Sequence, residues 1–111
     1  MSNETIRNGL VDAINEMTQL LEVCEDSNQE FDLRIKIREL FQKLDRVIVT
    51  MLDSETIEFI EALKSLKELT KKAKEAKKDL EKVTETIKKA AEAVGKVEKL
   101  VKDVSGILAI L

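Results

Sequence analysis

The sequence lacks several residues on which catalytic and metal sites commonly depend. It contains no histidine, no tyrosine and no tryptophan. Histidine is the most common general base of enzymes and the most common ligand of transition metals, and helical di-iron sites require it. Carboxylate pairs such as Glu58/Glu61 and Glu81/Glu85 lie on faces rich in lysine, as on solvated helices. We therefore expect that the protein is not an enzyme and that it binds neither a metal ion nor a cofactor.

Proline is also absent, and glycine occurs only three times. Proline blocks a backbone hydrogen bond and clashes with the preceding turn of a helix, so its absence favours long helices. Glutamate, lysine and leucine dominate the composition, as in all-helical proteins. No segment alternates apolar and polar residues for long enough to indicate a strand. The sequence therefore predicts an all-α protein with a single helical domain over residues 1–111.

The one cysteine, Cys24, cannot form a disulfide within the chain. A chain without disulfides is typical of a reducing compartment. The first residues lack the basic and apolar segments of a secretory signal, and no run of about 20 apolar residues is present to span a membrane. These features predict a cytoplasmic protein. Cys24 ends an apolar stripe, so we expect it to be buried as a small hydrophobe.

Two segments of the first half show the apolar spacing of amphipathic helices, and we predict helices at about 3–24 and 28–52. Ser27 and Glu30 match a capping box, so Ser27 is the predicted N-cap of the second helix. Asp53 or Ser54 is the predicted N-cap of the next helix. The second helix has extra apolar residues outside its main stripe, which indicates either an enclosed helix or contact with another chain: Phe31, Ile35 and Val49.

An unbroken apolar repeat runs through the second half of the chain, with spacings that alternate between three and four residues. It predicts a helix over residues 54–94, with a further or continuing helical segment at 96–111. We therefore expect an antiparallel helical bundle with a long C-terminal heptad-patterned helix. The alternative is a compact up-down four-helix bundle, in which the chain reverses within residues 70–79. Continuity to Gly95 is favoured, because that stretch contains strong helix formers and the repeat keeps its phase.

The broad apolar face after residue 87 is the leading candidate for a binding surface. The first two helices are about 33 Å and 37 Å long. They would cover only about half of a helix that continued from residue 54 to residue 111. We expect the rest to bind a second copy of the chain, as a dimer, or another helical protein. The predicted function is a non-enzymatic interaction or oligomerisation module. The predicted interaction face consists of Ile87, Ala90, Val94, Val97, Val101, Val104, Leu108 and Leu111.

Two other functions are kept as alternatives. The chain ends in five consecutive apolar residues, and a membrane-surface-binding module would insert this C-terminal segment into the lipid interface. The third hypothesis is a nucleic-acid-binding adaptor, because a lysine cluster can contact phosphates. Acidic residues interleave that cluster and no aromatic residue near it can stack on bases, so nucleic acid is the least favoured partner. The predicted weak anion-contact patch consists of Lys71, Lys72, Lys74, Lys77 and Lys78.

Overall fold

The computed structural model describes residues 2–102, and this part of the chain forms four α-helices. The helices are α1 (Ser2–Val23), α2 (Ser27–Val49), α3 (Ile57–Lys78) and α4 (Val83–Lys102). A short 3-10 turn at Leu80–Lys82 leads into α4. Residues 2–102 contain no strand, and the predicted all-α class is confirmed.

Each helix of the bundle packs against two neighbours. Helices α1 and α4 both pack against α2 and α3, so α1 and α4 lie diagonally opposite each other. Asn3 at the start of α1 is hydrogen-bonded to Val47 near the end of α2, and Lys77 at the end of α3 pairs with Glu16 in α1. Helices α1 and α3 therefore run in one direction and α2 and α4 in the other. The bundle measures 51 × 19 × 18 Å.

The prediction of a continuous helix over residues 54–94 is wrong, because the chain reverses at Asp79. The backbone of Asp79 is extended (φ −147°, ψ 94°) and ends α3. Its carboxylate accepts a hydrogen bond from the N–H of Glu81 at 3.2 Å, which stabilises the turn into α4. The four-helix alternative is therefore confirmed.

Helix α4 continues through Gly95, so this glycine does not interrupt the fourth helix. It extends to Lys102, and the remainder of the predicted segment at 96–111 lies outside the described residues. The α3–α4 pair contains five buried alanines, and small side chains of this kind let packed helices lie close together. They are Ala62, Ala73 and Ala76 in α3 and Ala90 and Ala93 in α4.

The helix caps lie near the predicted positions but use different residues. The N-cap of α2 is Asp26, whose Oδ1 accepts a hydrogen bond from the N–H of Gln29 at 3.0 Å, and the predicted Ser27 is already helical. The N-cap of α3 is Thr56, whose hydroxyl accepts from the N–H of Phe59 at 3.2 Å. Several short oxygen-bearing residues compete at each boundary, and they are similarly good caps. The spacing of residues in the sequence alone therefore does not show which of them is the N-cap.

Leucine and other aliphatic side chains fill the space between the helices, and Cys24 is buried with them as predicted. Thr86 is a fully buried polar side chain on α4. Its hydroxyl is placed to donate to the carbonyl of Lys82 at 2.9 Å and to that of Lys72 in α3 at 3.3 Å. Buried hydroxyl groups need such acceptors, because an unpaired one would destabilise the fold. Thr86 therefore links α3 and α4.

Candidate interaction surface

The predicted interaction face on α4 lies inside the bundle where the structure describes it. Ala90, Val97, Val94 and Val101 are all buried, and the partly buried Ile87 packs against the same core. Helices α2 and α3 of the same chain cover this face. It therefore stabilises a single chain and is not accessible to a second one in this arrangement. The other three predicted residues lie outside the described part of the chain: Val104, Leu108 and Leu111.

The five lysines of the predicted anion-contact patch do not act as one group in the structure. Lys72 lies 3.1 Å from Glu85 on α4, and Lys77 lies 2.6 Å from Glu16 on α1. The hydrogen bond between Lys72 and Glu85 raises the pKa of the lysine and lowers the pKa of the glutamate. Two of the lysines therefore form ion pairs that connect α3 to its neighbours. The exposed ones are Lys71, Lys74 and Lys78, and their contact with an anion stays a prediction.

Large apolar side chains are exposed on the outer side of α2. The exposed fractions of Phe31, Phe41 and Ile48 are 63%, 50% and 58%. The same helix buries Leu33, Leu40 and Val47 on its inner side, so the outer residues are additional to those that the core uses. Clustered apolar side chains at the surface commonly mark a binding site. Of the two interpretations given by the sequence, the exposed positions favour contact with another chain over an enclosed helix.

These three apolar residues share one face of α2 with three charged residues. Spacings of three and four residues place all six on a single stripe. All six side chains are exposed, and within residues 2–102 the three charged ones make no ion pair. We call this set the α2 stripe: Phe31, Arg34, Arg38, Phe41, Asp45 and Ile48.

The α2 stripe borders helix α1. Asn3 and Val47 lie at the same level of the antiparallel α1–α2 pair, because their hydrogen bond is only 2.7 Å long. Val11 of α1 therefore lies near the level of Phe41, and its side chain is also exposed. A small cavity of about 240 Å³ lies between Ile48 and the first turns of α1. The edge of α1 beside the stripe therefore carries the exposed apolar residue Val11 together with the polar residues Asn3, Glu4 and Arg7.

A second apolar region lies along the outer side of α3. An open groove of about 520 Å³ is lined there by Phe59, Ile60 and Leu63, with lysines along it. The lining comes almost entirely from one helix, so the groove is a shallow surface and does not enclose a ligand as small-molecule sites do. The aliphatic residues of this groove also do not alternate with charged residues of both signs at regular spacings. We therefore regard the α2 stripe as the better-defined surface.

Glu98 on α4 carries the most perturbed carboxylate of the described residues. Its oxygens lie 2.5 Å from Lys43, 3.0 Å from Lys102 and 3.4 Å from Arg46. Hydrogen bonds from Lys43 and Lys102 lower the pKa of Glu98 to about 2. The contact between Lys43 and Glu98 could not be predicted from the sequence, because the two residues are far apart in the chain. It connects α2 to α4 and presents no free acid or base, so its role is structural.

In residues 2–102, no group of three or more histidine, cysteine, aspartate and glutamate residues is placed to hold a metal ion. None of the four described helices is long and apolar enough to cross a membrane. No protein-family model, curated protein or solved structure matches the chain, and the exposed surface of α2 is therefore the basis on which we infer a function.

Proposed function

We propose that this protein is a non-enzymatic helical interaction module that self-associates through the outer face of α2. The observation that supports this function is the exposure of Phe31, Phe41 and Ile48 along one stripe. Fully burying one such side chain contributes about 1.5–3 kcal/mol. A second helix laid along the stripe would remove a substantial part of all three from water. A partner helix that packs against the α2 stripe would therefore gain free energy by burying these three side chains.

The proposal keeps the predicted self-association but assigns it to a different surface. Residues Ile87 to Val101 of the predicted face already pack within the chain. The α2 stripe has the same alternation of three- and four-residue spacings on a solvent-facing side, with apolar residues at three of its six positions, which a helix of an isolated bundle does not need. Its exposed aromatic residues are also typical of the side chains that dominate binding energy in protein interfaces.

Sedimentation equilibrium of the purified protein tests this function. We expect the wild-type chain to form dimers with increasing concentration, and Phe41→Asp to weaken dimerisation at least ten-fold because it places a charge in the apolar interface. Ile57→Asp is the matched control, since Ile57 is also an exposed apolar residue but lies at the start of α3. Circular dichroism would verify that both variants remain folded. A wild-type chain that stays monomeric, or equal dimerisation of wild type and Phe41→Asp, would overturn the proposal.

A further inference from the structure

We propose that α2 pairs with α2 of a second copy in an antiparallel, two-fold symmetric arrangement that places Arg34 opposite Asp45 of the other copy. This inference rests on the proposed function and specifies its partner and register. The partner surface is the α2 stripe itself. The observation that carries the inference is the order of charged and apolar residues along that stripe.

The α2 stripe reads with the same spacing in both directions. Its six residues follow each other at intervals of three, four, three, four and three, centred between Glu39 and Leu40. In a two-fold interface, residue i of one copy contacts residue j of the other, and j contacts i. An antiparallel pairing about this centre therefore forms three kinds of contact, each made twice: Phe31 with Ile48, Arg34 with Asp45, and Arg38 with Phe41.

Each of these contacts is chemically favourable. Arg34 and Asp45 are exposed and have no ion-pair partner within residues 2–102, so the pairing supplies opposite charges to both. Arg38 is placed beside the ring of Phe41, where a guanidinium is attracted to the aromatic face. Phe31 and Ile48 bury apolar surface at the two ends of the contact. Charges and apolar groups are thus all matched in one register.

Other pairings of the same stripe are less favourable. A parallel dimer would place Arg34, Arg38 and Asp45 each next to its own copy, and such like-charge contacts destabilise an interface. An antiparallel pairing shifted by one heptad towards the N-terminus brings Arg34 next to Arg38. An antiparallel pairing shifted by one heptad towards the C-terminus leaves Arg34 without Asp45 of the other copy opposite it. The charges on α2 therefore select the central antiparallel register.

The contact between the two stripes is about 26 Å long at the helical rise per residue. A single pair of helices of this length lies at the small end of protein interfaces, and weak dimers are typical there. We accordingly expect a dimer that forms in the micromolar range. The neighbouring Val11 on α1 adds apolar area beside the two helices, since it is exposed and follows Glu4 and Arg7, which border Ile48, on the same helix face.

Charge exchange tests the register. Arg34→Asp alone places an acid opposite Asp45, and Asp45→Arg alone places two arginines together. We expect each variant alone to dimerise at least ten-fold more weakly than wild type. An equimolar mixture of the two should form heterodimers with nearly wild-type affinity, because both contacts then join opposite charges. The double variant Arg34→Asp/Asp45→Arg should also recover dimerisation.

Lys74→Asp serves as the control, because it makes the same charge change at an exposed position of α3 and should not alter dimerisation. Sedimentation equilibrium with one variant carrying a fluorescent label measures homodimers and heterodimers separately. If Phe41→Asp abolishes dimerisation while Arg34→Asp dimerises like wild type, the register is wrong and the proposed function stands. If the wild-type chain does not dimerise at all, the proposed function fails as well.

Discussion

Glu61 in α3 and Lys96 in α4 form an ion pair although they are 35 residues apart in the chain, with Lys96 Nζ 3.0 Å from Glu61 Oε2. Lys89 with Glu68 and Lys72 with Glu85 continue the same series along the two helices. The hydrogen bond from Lys96 lowers the pKa of Glu61. These pairs define the antiparallel α3–α4 hairpin, because a continuous helix would keep their members far apart.

The first prediction concerns this hairpin. Nitroxide labels attached at positions 61 and 96, in a Cys24→Ala background, should show strong dipolar broadening in their electron paramagnetic resonance spectrum. In one continuous helix the two positions would be about 52 Å apart. Labels at positions 61 and 78, both within α3, form the control, because they are about 26 Å apart in either architecture. An unbroadened spectrum for the pair 61/96 would show that the chain does not reverse.

The second prediction concerns Asn3, which connects the start of α1 to the end of α2. Its Nδ2 donates to the carbonyl oxygens of Val47 and Thr50, and its Oδ1 accepts from the N–H of Leu52 at 3.1 Å. Carbonyl groups at a helix end lack partners within the helix. We expect Asn3→Ala to lower the free energy of unfolding by about 1–3 kcal/mol.

Urea denaturation measures this effect, and Asn8→Ala is the matched control. Asn8 lies in the same helix and is exposed, so its substitution should change the free energy of unfolding much less. If the two variants have equal stability, the side chain of Asn3 does not contribute through the end of α2.

The helical class could be predicted because it depends on local properties. The apolar spacing of Leu33, Leu40 and Val47 indicates a buried helix face whatever that face packs against, and all three residues are buried. The reversal at Asp79 could not be predicted in the same way. Residues 70–79 favour helix locally, and the turn is stabilised by contacts such as that of Lys72 with Glu85, which exist only after the chain has folded back.

The candidate surface was predictable only in part. Phe31 and Val49 fall outside the main stripe of α2, and this irregularity correctly indicated a helix with more apolar surface than one neighbour needs. Whether such residues are exposed depends on the positions of the other helices, which the sequence does not give. The apolar face of α4 was assigned to a partner because α3 was expected to continue into it. Once α3 folds back, it covers Ala90 and Val97 itself.

The third prediction concerns pH and Glu98. Its pKa is lowered from 4.5 to about 2 by Lys43 and Lys102. A carboxylate with a depressed pKa in the folded state stabilises the fold above its unfolded pKa, and this contribution is lost as the pH falls through the folded pKa. We expect Glu98→Gln to lower the free energy of unfolding by about 1 kcal/mol at neutral pH, the size typical of a partly exposed ion-pair network.

The difference between wild type and Glu98→Gln should shrink as the pH is lowered from 4.5 towards 2. Urea denaturation at several pH values measures it. Glu22→Gln is the control, because Glu22 is exposed and makes no ion pair within residues 2–102. A difference that stays constant over this pH range would show that the carboxylate of Glu98 is not held in its charged form by the two lysines.

The fourth prediction compares the two glycines of the four described helices, Gly9 and Gly95. A methyl group at Gly95 would meet nothing within 4 Å, and one at Gly9 would lie 3.4 Å from Leu66 Cδ1, at ordinary contact distance. Alanine favours a helix by about 1 kcal/mol over glycine. Gly95→Ala should therefore raise the free energy of unfolding by about 1 kcal/mol, and Gly9→Ala by at least as much because its methyl group also packs against α3.

Gly9→Ala decides between two roles of this glycine. If Gly9 is present because α1 and α3 need close contact, the added methyl group would push the helices apart and destabilise the protein. If the space beside Leu66 accepts a methyl group, as the distances indicate, the variant is more stable. The two sites lie in different helices that do not contact each other, so the double variant should gain about 2 kcal/mol. Urea denaturation of the three variants beside wild type measures both the sign at Gly9 and this additivity.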